Sequence, residues 1–271
     1  MLTRLIWCAA AIATLAALAP QPADSASRRT AASRKLAKGP QCPAMGTRAL
    51  VFAKAVSGSA FLTADNVEVR LAGVLAPGDG GENPSPTQTE SARGVLAAML
   101  RAGPVTLSGD TRDRYGRVLA QVFADGAWVQ GAMLRAGELR VAPDPVSAVC
   151  AKLSMAAEEE ARASRAGHWR DGSFSLHTPE QLGNRAGTFE IVEGTVETAS
   201  LYKGRAYINF GPDYRTDFTV TVAPEDMKAF RAARLDVKTL AGKRIRVRGW
   251  VELYNGPEME IAIPAAIEAL N

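Results

Sequence analysis

One arginine in the sequence stands where it could bind an anion. In the stretch VRLAGVLAPGDG, which covers residues 69–80, Arg70 is followed by apolar residues and a Pro77-Gly78 turn, and no carboxylate comes before Asp79. The pattern predicts a strand that carries one guanidinium to the rim of an apolar turn. Because a guanidinium favours charge-assisted hydrogen bonds to carboxylates and phosphates, its partner is a catalytic acid, a phosphate ligand or water.

The residues around Arg70 predict consecutive strands followed by a helix. Residues 49–76 consist of short apolar runs separated by the turn-forming stretches SGS and DN. Thr87 and Glu90 have the spacing of a capping box, and apolar residues then recur at helical spacing until Gly103. This order is typical of a β-meander with one helix packed on it.

Further strands and helices complete this first domain, which we place at residues 49–170. Residues 105–126 predict two strands around a charged turn, and a short helix then ends at Gly137. One more strand follows, and an Ala- and Glu-rich helix is predicted from Asp144 to Gly167. The elements together predict a β-barrel with helices packed on it.

A second small barrel is predicted at residues 187–271, after a linker at residues 171–186. Five strands are predicted there, with the helical stretch PEDMKAFRAA between the third and the fourth, which is the order of an OB-fold. The chain is thus predicted to be mainly β with helices, in the α+β class, with two OB-like barrels in tandem. The second barrel's aromatic residues fit either a surface that stacks on nucleic-acid bases or the hydrophobic core, and the core is favoured because so small a barrel needs them: Tyr202, Tyr207, Phe210, Tyr214, Phe218, Trp250 and Tyr254.

The N-terminal residues predict an exported protein. Residues 1–26 have an early cation, an apolar run and then small residues, which is typical of a secretory signal peptide. The alternative is an uncleaved membrane anchor, although the apolar run is shorter than the roughly 18 to 20 residues that a span requires. We therefore expect a periplasmic or secreted protein with no membrane span after cleavage.

A basic, flexible tail is predicted at residues 27–48. It carries six cations and no acid, which leaves a formal net charge of −2 for residues 49–271. The folded part of the chain is therefore not basic, and the tail serves either as a solvated arm or as a contact for phosphates or anionic lipid.

Two cysteines remain after the leader, Cys42 and Cys150, and an exported protein with an even cysteine count favours a disulfide between them. Two thiols without clustered histidines make no zinc site, so no metal is expected there.

The motifs VRLAGVLAP, DRYGRVLAQVFADG, AMLRAGELRVA and GHW, in this order, resemble the staphylococcal-nuclease-like thermonucleases over residues 49–170. The resemblance implies an OB-fold whose relatives hydrolyse phosphodiesters with two arginines, a Ca²⁺ held by carboxylates and a general base. Arg70 and Arg117 match the two arginines. Arg114 and Tyr115 match positions beside the terminal phosphate of the bound nucleotide.

The carboxylates of that family are missing from the matching positions. Where the family has Asp-Gly-Asp-Thr, this chain has Ser57-Gly58-Ser59-Ala60, and where it has Asp-x-Pro-Glu, this chain has Leu75-Ala76-Pro77-Gly78. These residues cannot hold a hard cation or accept a proton. The resemblance therefore predicts that Arg70 and Arg117 converge on a pocket that binds an anion without a cofactor.

The expected function is the binding of nucleic acid or another phosphate-bearing anion without turnover. A first alternative is an active calcium-dependent phosphodiesterase, an endonuclease, in which Asp79 and Glu82 supply substitute acids.

A second alternative is a periplasmic structural or interaction module. In that case Arg70 pairs with Asp79 or Glu82 and Arg117 pairs with Asp110 or Asp113, as ordinary ion pairs.

Overall fold

A computed structural model describes residues 39–270. The predicted signal peptide and the first part of the predicted tail lie outside the described residues. Two hydrophobic cores divide the described elements, and we call residues 48–171 the N-terminal unit and residues 176–269 the C-terminal unit. No helix within residues 39–270 is long and apolar enough to cross a membrane.

The N-terminal unit is a curled sheet with helices packed on it. Its elements in chain order are β1 (Arg48–Leu50), β2 (Phe52–Ala55), β3 (Ala60–Thr63), β4 (Glu68–Leu71), β5 (Val74–Leu75), α1 (Pro86–Leu100), β6 (Val105–Arg112), β7 (Val118–Ala124), β8 (Ala127–Trp128), α2 (Val129–Arg135), β9 (Arg140–Val141), α3 (Ala151–Ala163) and α4 (His168–Asp171). Strands are ordered β1-β6-β7-β4-β3-β2, with β8 added to β7 and with β5 paired to β9. Only Val51 separates β1 from β2, so one bent strand pairs at both ends of this order.

The C-terminal unit repeats this arrangement. Its elements are β10 (Leu176–His177), β11 (Phe189–Thr195), β12 (Thr198–Tyr202), β13 (Arg205–Asn209), β14 (Thr219–Val222), α5 (Met227–Ala232), β15 (Arg244–Trp250), β16 (Glu252–Leu253), β17 (Pro257–Glu260) and β18 (Ile267–Ala269). Its bent first strand, β11 and β12, pairs with β15 at one end and with β13 at the other. The helix α5 lies between the third and fourth barrel strands, as predicted.

Both units show the strand pairing of an OB-like barrel. The bent first strand of each unit counts as one barrel strand. On this count the third and fifth barrel strands run parallel, β4 beside β7 and β14 beside β17. The other neighbouring barrel strands pair antiparallel. A first strand shared between the two ends of the sheet curls the sheet onto itself, and this leaves few free edges. The predicted α+β class with two OB-like barrels in tandem is confirmed.

The capping box of α1 differs from the predicted one. The N-cap is Ser85, whose hydroxyl accepts from the backbone N–H of Gln88, while the Gln88 side chain accepts from the Ser85 N–H. Proline is favoured at the first helical position because it needs no N–H there, so Pro86 sets the start of the helix. The predicted box of Thr87 and Glu90 is wrong, and Glu90 instead pairs with Arg93.

The predicted helix from Asp144 to Gly167 is also shorter in the structure. A 3-10 turn at Ala148–Cys150 precedes α3, which ends at Ala163. Asp144 does not cap the helix, because its carboxylate accepts from the backbone N–H groups of Ser147 at 2.7 Å and Gly73 at 2.6 Å.

The disulfide between Cys42 and Cys150 is present, with the two Cα atoms 5.4 Å apart. Cys42 is buried and β1 begins at Arg48, so the predicted flexible tail does not extend to Arg48. The Gln41 side chain also accepts from the backbone N–H of Trp128 at 2.7 Å. The disulfide thus attaches the segment before β1 to the 3-10 turn before α3.

The aromatic residues of the C-terminal unit divide between core and surface. Phe218 is buried and packs against Phe210, with ring centroids 4.9 Å apart. The core prediction is wrong for four others, which are 47 to 73% exposed: Tyr202, Tyr214, Trp250 and Tyr254. They lie at strand ends or in connecting turns, where side chains extend beyond the barrel, and aliphatic residues of the strands fill its core.

The two units are in direct contact. The Arg248 guanidinium donates to Glu158 of α3 at 2.8 Å, and both side chains are fully buried. The Phe189 N–H donates to the Gly80 carbonyl at 2.7 Å, and Phe189 packs with Leu75 in a small core between the units. The turn that follows Arg70 is therefore fixed against the C-terminal unit.

A buried carboxylate at the start of β11 gives a prediction on acid stability. Burial raises the pKa of Glu190, but hydrogen bonds from His177, Thr188 and Arg185 outweigh it and lower the pKa to about 2. A carboxyl with a depressed folded-state pKa stabilises above its unfolded pKa, so this stability is lost as the pH falls from about 4.5 to about 2. We expect Glu190→Gln to lower the free energy of unfolding by about 1 to 3 kcal/mol at pH 6 and by much less near pH 2, measured by urea unfolding.

The control for this prediction is Glu252→Gln, because Glu252 is an exposed carboxylate of the same unit with no ion pair in the described part of the chain. It should follow the wild type at both pH values. A Glu190→Gln variant that is equally destabilised at pH 6 and pH 2 would contradict the argument.

Candidate functional site

A cavity of about 370 Å³ lies between the two units. The N-terminal unit contributes Arg70, Leu75 and Arg117 to its lining, and the C-terminal unit contributes Trp250 and Glu260 among others. The cavity therefore contains both arginines that the sequence singled out, and it is completed by a part of the chain that the sequence did not connect to them.

The strand register explains why both arginines line the same cavity. Arg70 lies on β4 directly opposite Leu119 of the parallel strand β7. Arg117 is two residues before Leu119, and residues two apart on a strand face the same side. The parallel pairing of β4 with β7 therefore places Arg70 and Arg117 on one face of the sheet, where both line the cavity.

The two arginines differ in their partners. The Arg117 Nε donates to Asp113 at 2.7 Å, and its Nη1 lies 3.9 Å from Glu68. Arg70 is half-buried and makes no side-chain hydrogen bond or ion pair with any residue in the range 39–270. Arg117 thus has the partner that the ion-pair interpretation predicted, whereas the predicted pairing of Arg70 with Asp79 or Glu82 is wrong.

Asp79 and Glu82, the candidate substitute acids, are occupied elsewhere. One Asp79 oxygen accepts from the Ser59 hydroxyl at 2.5 Å and from the Ala76 N–H at 2.9 Å. Glu82 pairs with the buried Arg140 at 3.0 Å. Neither carboxylate lines the cavity, because both hold the turn that follows β5.

Arg114 and Tyr115 lie beside the cavity, not in it. Both are exposed on the turn between β6 and β7, and the guanidinium carbons of Arg114 and Arg117 lie 4.9 and 5.1 Å from the centre of the Tyr115 ring. Burial raises the pKa of Asp113, but the hydrogen bonds from Arg117 and from two backbone N–H groups hold that pKa below its usual value. The turn is thus organised around the Asp113 carboxylate.

The charges that line the cavity cancel formally. They are Arg70, Arg117, Arg248, Asp113, Asp144 and Glu260. Five of the six have protein partners: Arg117 with Asp113, Arg248 with Glu158 and Glu268, Asp144 with backbone N–H groups, and Glu260 with Arg205 at 2.5 Å. Within the described residues, Arg70 is the one charged side chain of the lining that has no hydrogen-bond or ion-pair partner.

A comparison with protein families identifies the part of the chain that carries Arg70 and Arg117. The family model of staphylococcal nuclease homologues matches residues 68–171. This part of the chain belongs to the staphylococcal nuclease homologue family. No curated protein matches the chain. The C-terminal unit lies beyond the matched residues, so the nuclease-homologue domain supplies the arginines and a separate barrel supplies the other cavity wall.

At the positions that the resemblance assigns to the calcium ligands, the chain has no carboxylate. Ca²⁺ takes six to eight oxygen ligands, mostly carboxylates and carbonyls. Here the positions hold Ser57, Ser59, Leu75 and Gly78, and Leu75 is packed against Phe189. No group of three His, Cys, Asp or Glu side chains that could hold a metal occurs within residues 39–270. The residues present do not fit the ion.

Sequence reasoning missed the contribution of the C-terminal unit to the site. Trp250 was a candidate stacking residue, but nothing in its local sequence connects it to Arg70. The exposed end of a strand was the one available signal, since an aromatic residue there lies outside the barrel core. Phe189 and Glu260 gave no signal, because contacts between two units do not appear as a local pattern.

Proposed function

We propose that this protein binds a phosphate-bearing ligand, with nucleic acid as the first candidate, in the cavity between the two units and without turnover. The observation that supports the proposal is the half-buried Arg70, which lines the cavity of a nuclease-homologue domain and has no partner within residues 39–270. The other charged side chains of the lining already have protein partners, so an anionic ligand group is the natural partner of this guanidinium.

The surroundings of Arg70 favour such binding. Much of the remaining lining is apolar, including Leu75, Pro143 and Ile261. An ion pair is stronger next to apolar walls than in bulk water, and an arginine can bind two phosphate oxygens at once. Binding through Arg70 requires no resident cofactor.

Binding without turnover is favoured by the state of the nearby carboxylates. A general base must lie within hydrogen-bond reach of the attacking water and be free to accept its proton. Asp113, Asp144 and Glu260 are each committed to donors of the protein, and Asp79 is bonded to Ser59 outside the lining. These commitments argue against the alternative of a calcium-dependent endonuclease.

We also propose that the protein is exported to the periplasm or secreted. The leader-like residues 1–26 support this, and so does the disulfide between Cys42 and Cys150, since disulfides persist mainly in oxidising compartments.

Arg70→Ala should weaken binding of a labelled single-stranded oligonucleotide, measured by fluorescence anisotropy. A hydrogen bond to a charged group contributes about 1.5 to 3 kcal/mol, so we expect the Kd to rise by about 10- to 150-fold. Arg101→Ala is the matched control, because Arg101 follows α1, is exposed and has no ion pair in the described part of the chain. It removes the same charge and should leave the Kd within about twofold.

Two results would contradict the proposal. One is an Arg70→Ala variant whose affinity equals that of the Arg101→Ala control. The other is calcium-dependent cleavage of the oligonucleotide that a chelator abolishes, which would favour the endonuclease instead.

A further inference from the structure

We infer that the cavity accommodates one nucleotide unit, with its phosphate at Arg70 and its base stacked on Trp250 of the C-terminal unit. This inference rests on the proposed function. It assigns the preference for ligands with a base over ligands without one to a residue outside the nuclease-homologue domain. Three features carry it: the position of Trp250, the balance of charge and apolar surface in the lining, and the positions of the other exposed aromatic residues.

Trp250 is held in place while much of its surface remains open. It is the last residue of β15 and lies opposite Phe189 of β11 in the strand register. The two rings meet edge to face, with centroids 5.9 Å apart and planes at 79°. Phe189 is itself buried and packs against Leu75, whereas Trp250 is 47% exposed. The indole is therefore a supported aromatic surface at the cavity wall.

The lining suits a ligand with one anionic group and an uncharged planar part. Among the described residues, Arg70 is the one charged side chain of this lining without a hydrogen-bond or ion-pair partner, and the apolar residues and Trp250 cover much of the rest. A volume of about 370 Å³ is near the lower end of small-molecule sites, which span roughly 300 to 1,000 Å³. A nucleotide, in which a sugar joins one phosphate to an uncharged base, matches this combination of one cation and apolar surface. Several adjacent phosphates do not, because the described part of the lining offers them only one cation without a protein partner.

The other exposed aromatic residues do not line the cavity. Tyr202, Tyr214 and Tyr254 are more exposed than Trp250, but none of them belongs to the lining. Tyr115 lies on the turn that precedes Arg117 and is also outside it. Trp250 is thus the half-exposed aromatic ring that shares a cavity with Arg70, and aromatic rings bind bases through stacking with little sequence preference.

The test compares two phosphate esters that differ in the base. Adenosine 5′-monophosphate carries a base, and ribose 5-phosphate does not; both are titrated calorimetrically into the wild type, Trp250→Ala, Trp250→Phe, Arg70→Ala and Tyr254→Ala. We expect Trp250→Ala to raise the Kd for the nucleotide by about 5- to 150-fold and to leave that for ribose 5-phosphate unchanged. Trp250→Phe should retain most of the affinity, Tyr254→Ala should match the wild type, and Arg70→Ala should weaken both ligands.

A second measurement covers the case in which Trp250→Ala does not fold. The nucleotide should quench the tryptophan fluorescence of the wild type, whereas ribose 5-phosphate should not. The quenching should disappear in Trp250→Phe, which retains Trp128 and Trp169.

The outcomes separate the two proposals. If Trp250→Ala leaves nucleotide affinity unchanged, or weakens both ligands equally, the stacking role is overturned while the anion site at Arg70 stands. If neither ligand binds the wild type while the oligonucleotide does, the nucleotide site fails and the proposed function stands; if the oligonucleotide does not bind either, both fail. Quenching that persists in Trp250→Phe also overturns the inference.

Discussion

Replacing Cys42 and Cys150 together by alanine is expected to lower the free energy of unfolding by about 4 to 5 kcal/mol in urea titrations. The disulfide joins residues with a sequence separation of 108. In the chain-entropy model, closing a loop of this length lowers the conformational entropy of the unfolded chain and so stabilises the folded state by about 4 to 5 kcal/mol. Both sulfur-bearing residues are buried in a cluster with Phe123 and Trp128, so losing their packing adds to the effect. The segment before β1 should be the first to become accessible to protease.

The reduced wild type separates the cross-link from the packing. In the reduced protein both cysteine side chains remain and can still pack in the cluster, but the covalent bond between them is lost. Most of the destabilisation should therefore already appear on reduction. Reductant should have no effect on the double alanine variant. Equal unfolding midpoints for the oxidised and reduced wild type would contradict the prediction.

Arg248→Met is expected to cost about 3 to 5 kcal/mol, because it leaves Glu158 buried without its charged partner. The two side chains are fully buried, with Nη1 of Arg248 2.8 Å from Glu158, and Nη2 lies 2.6 Å from Glu268. Burial lowers the pKa of Arg248, but the two carboxylates outweigh it and raise the pKa, so the arginine remains charged. Since Glu158 belongs to α3, the loss should also weaken the contact between the units, which calorimetry would record as a broadened or divided unfolding transition.

The matched control lies on the same strand. Arg244 of β15 pairs with Glu193 at 2.9 Å, but its side chain is 64% exposed, and exposed pairs contribute about 0 to 1 kcal/mol. Arg244→Met should therefore have little effect. A double variant, Arg248→Met with Glu158→Met, should be more stable than Arg248→Met alone, because it leaves no unpaired charge. Equal stability of Arg248→Met and Arg244→Met would contradict the assignment.

Local sequence patterns predict the order of the main strands and helices, although not all of their bounds. Apolar alternation and turn residues act over a few positions, and both barrels follow from them. The start of α1 was mispredicted because two overlapping stretches, Ser85 to Gln88 and Thr87 to Glu90, both fit a capping box. Pro86 decides between them, since a proline is readily accommodated at the first helical position.

The site was predictable only within the first barrel. Arg70 and Arg117 line one cavity because of strand pairing inside that unit, which the motifs indicated. On β15, by contrast, Arg244, Arg246 and Arg248 alternate with apolar residues and look alike in sequence. Their side chains are 64, 11 and 0% exposed, because the N-terminal unit covers one end of the strand. The same contact between the units places Trp250 and Arg70 in the lining of one cavity, and no local pattern encodes it.

The hydrogen bond between Ser59 and Asp79 bears on how this domain can change over evolution. An aspartate at position 59 would place a second carboxylate against Asp79, which now accepts from the serine hydroxyl at 2.5 Å. Like charges at that distance repel, so this single substitution would destabilise the turn. A cation site at this turn would therefore require several further substitutions, because Ca²⁺ takes six to eight oxygen ligands.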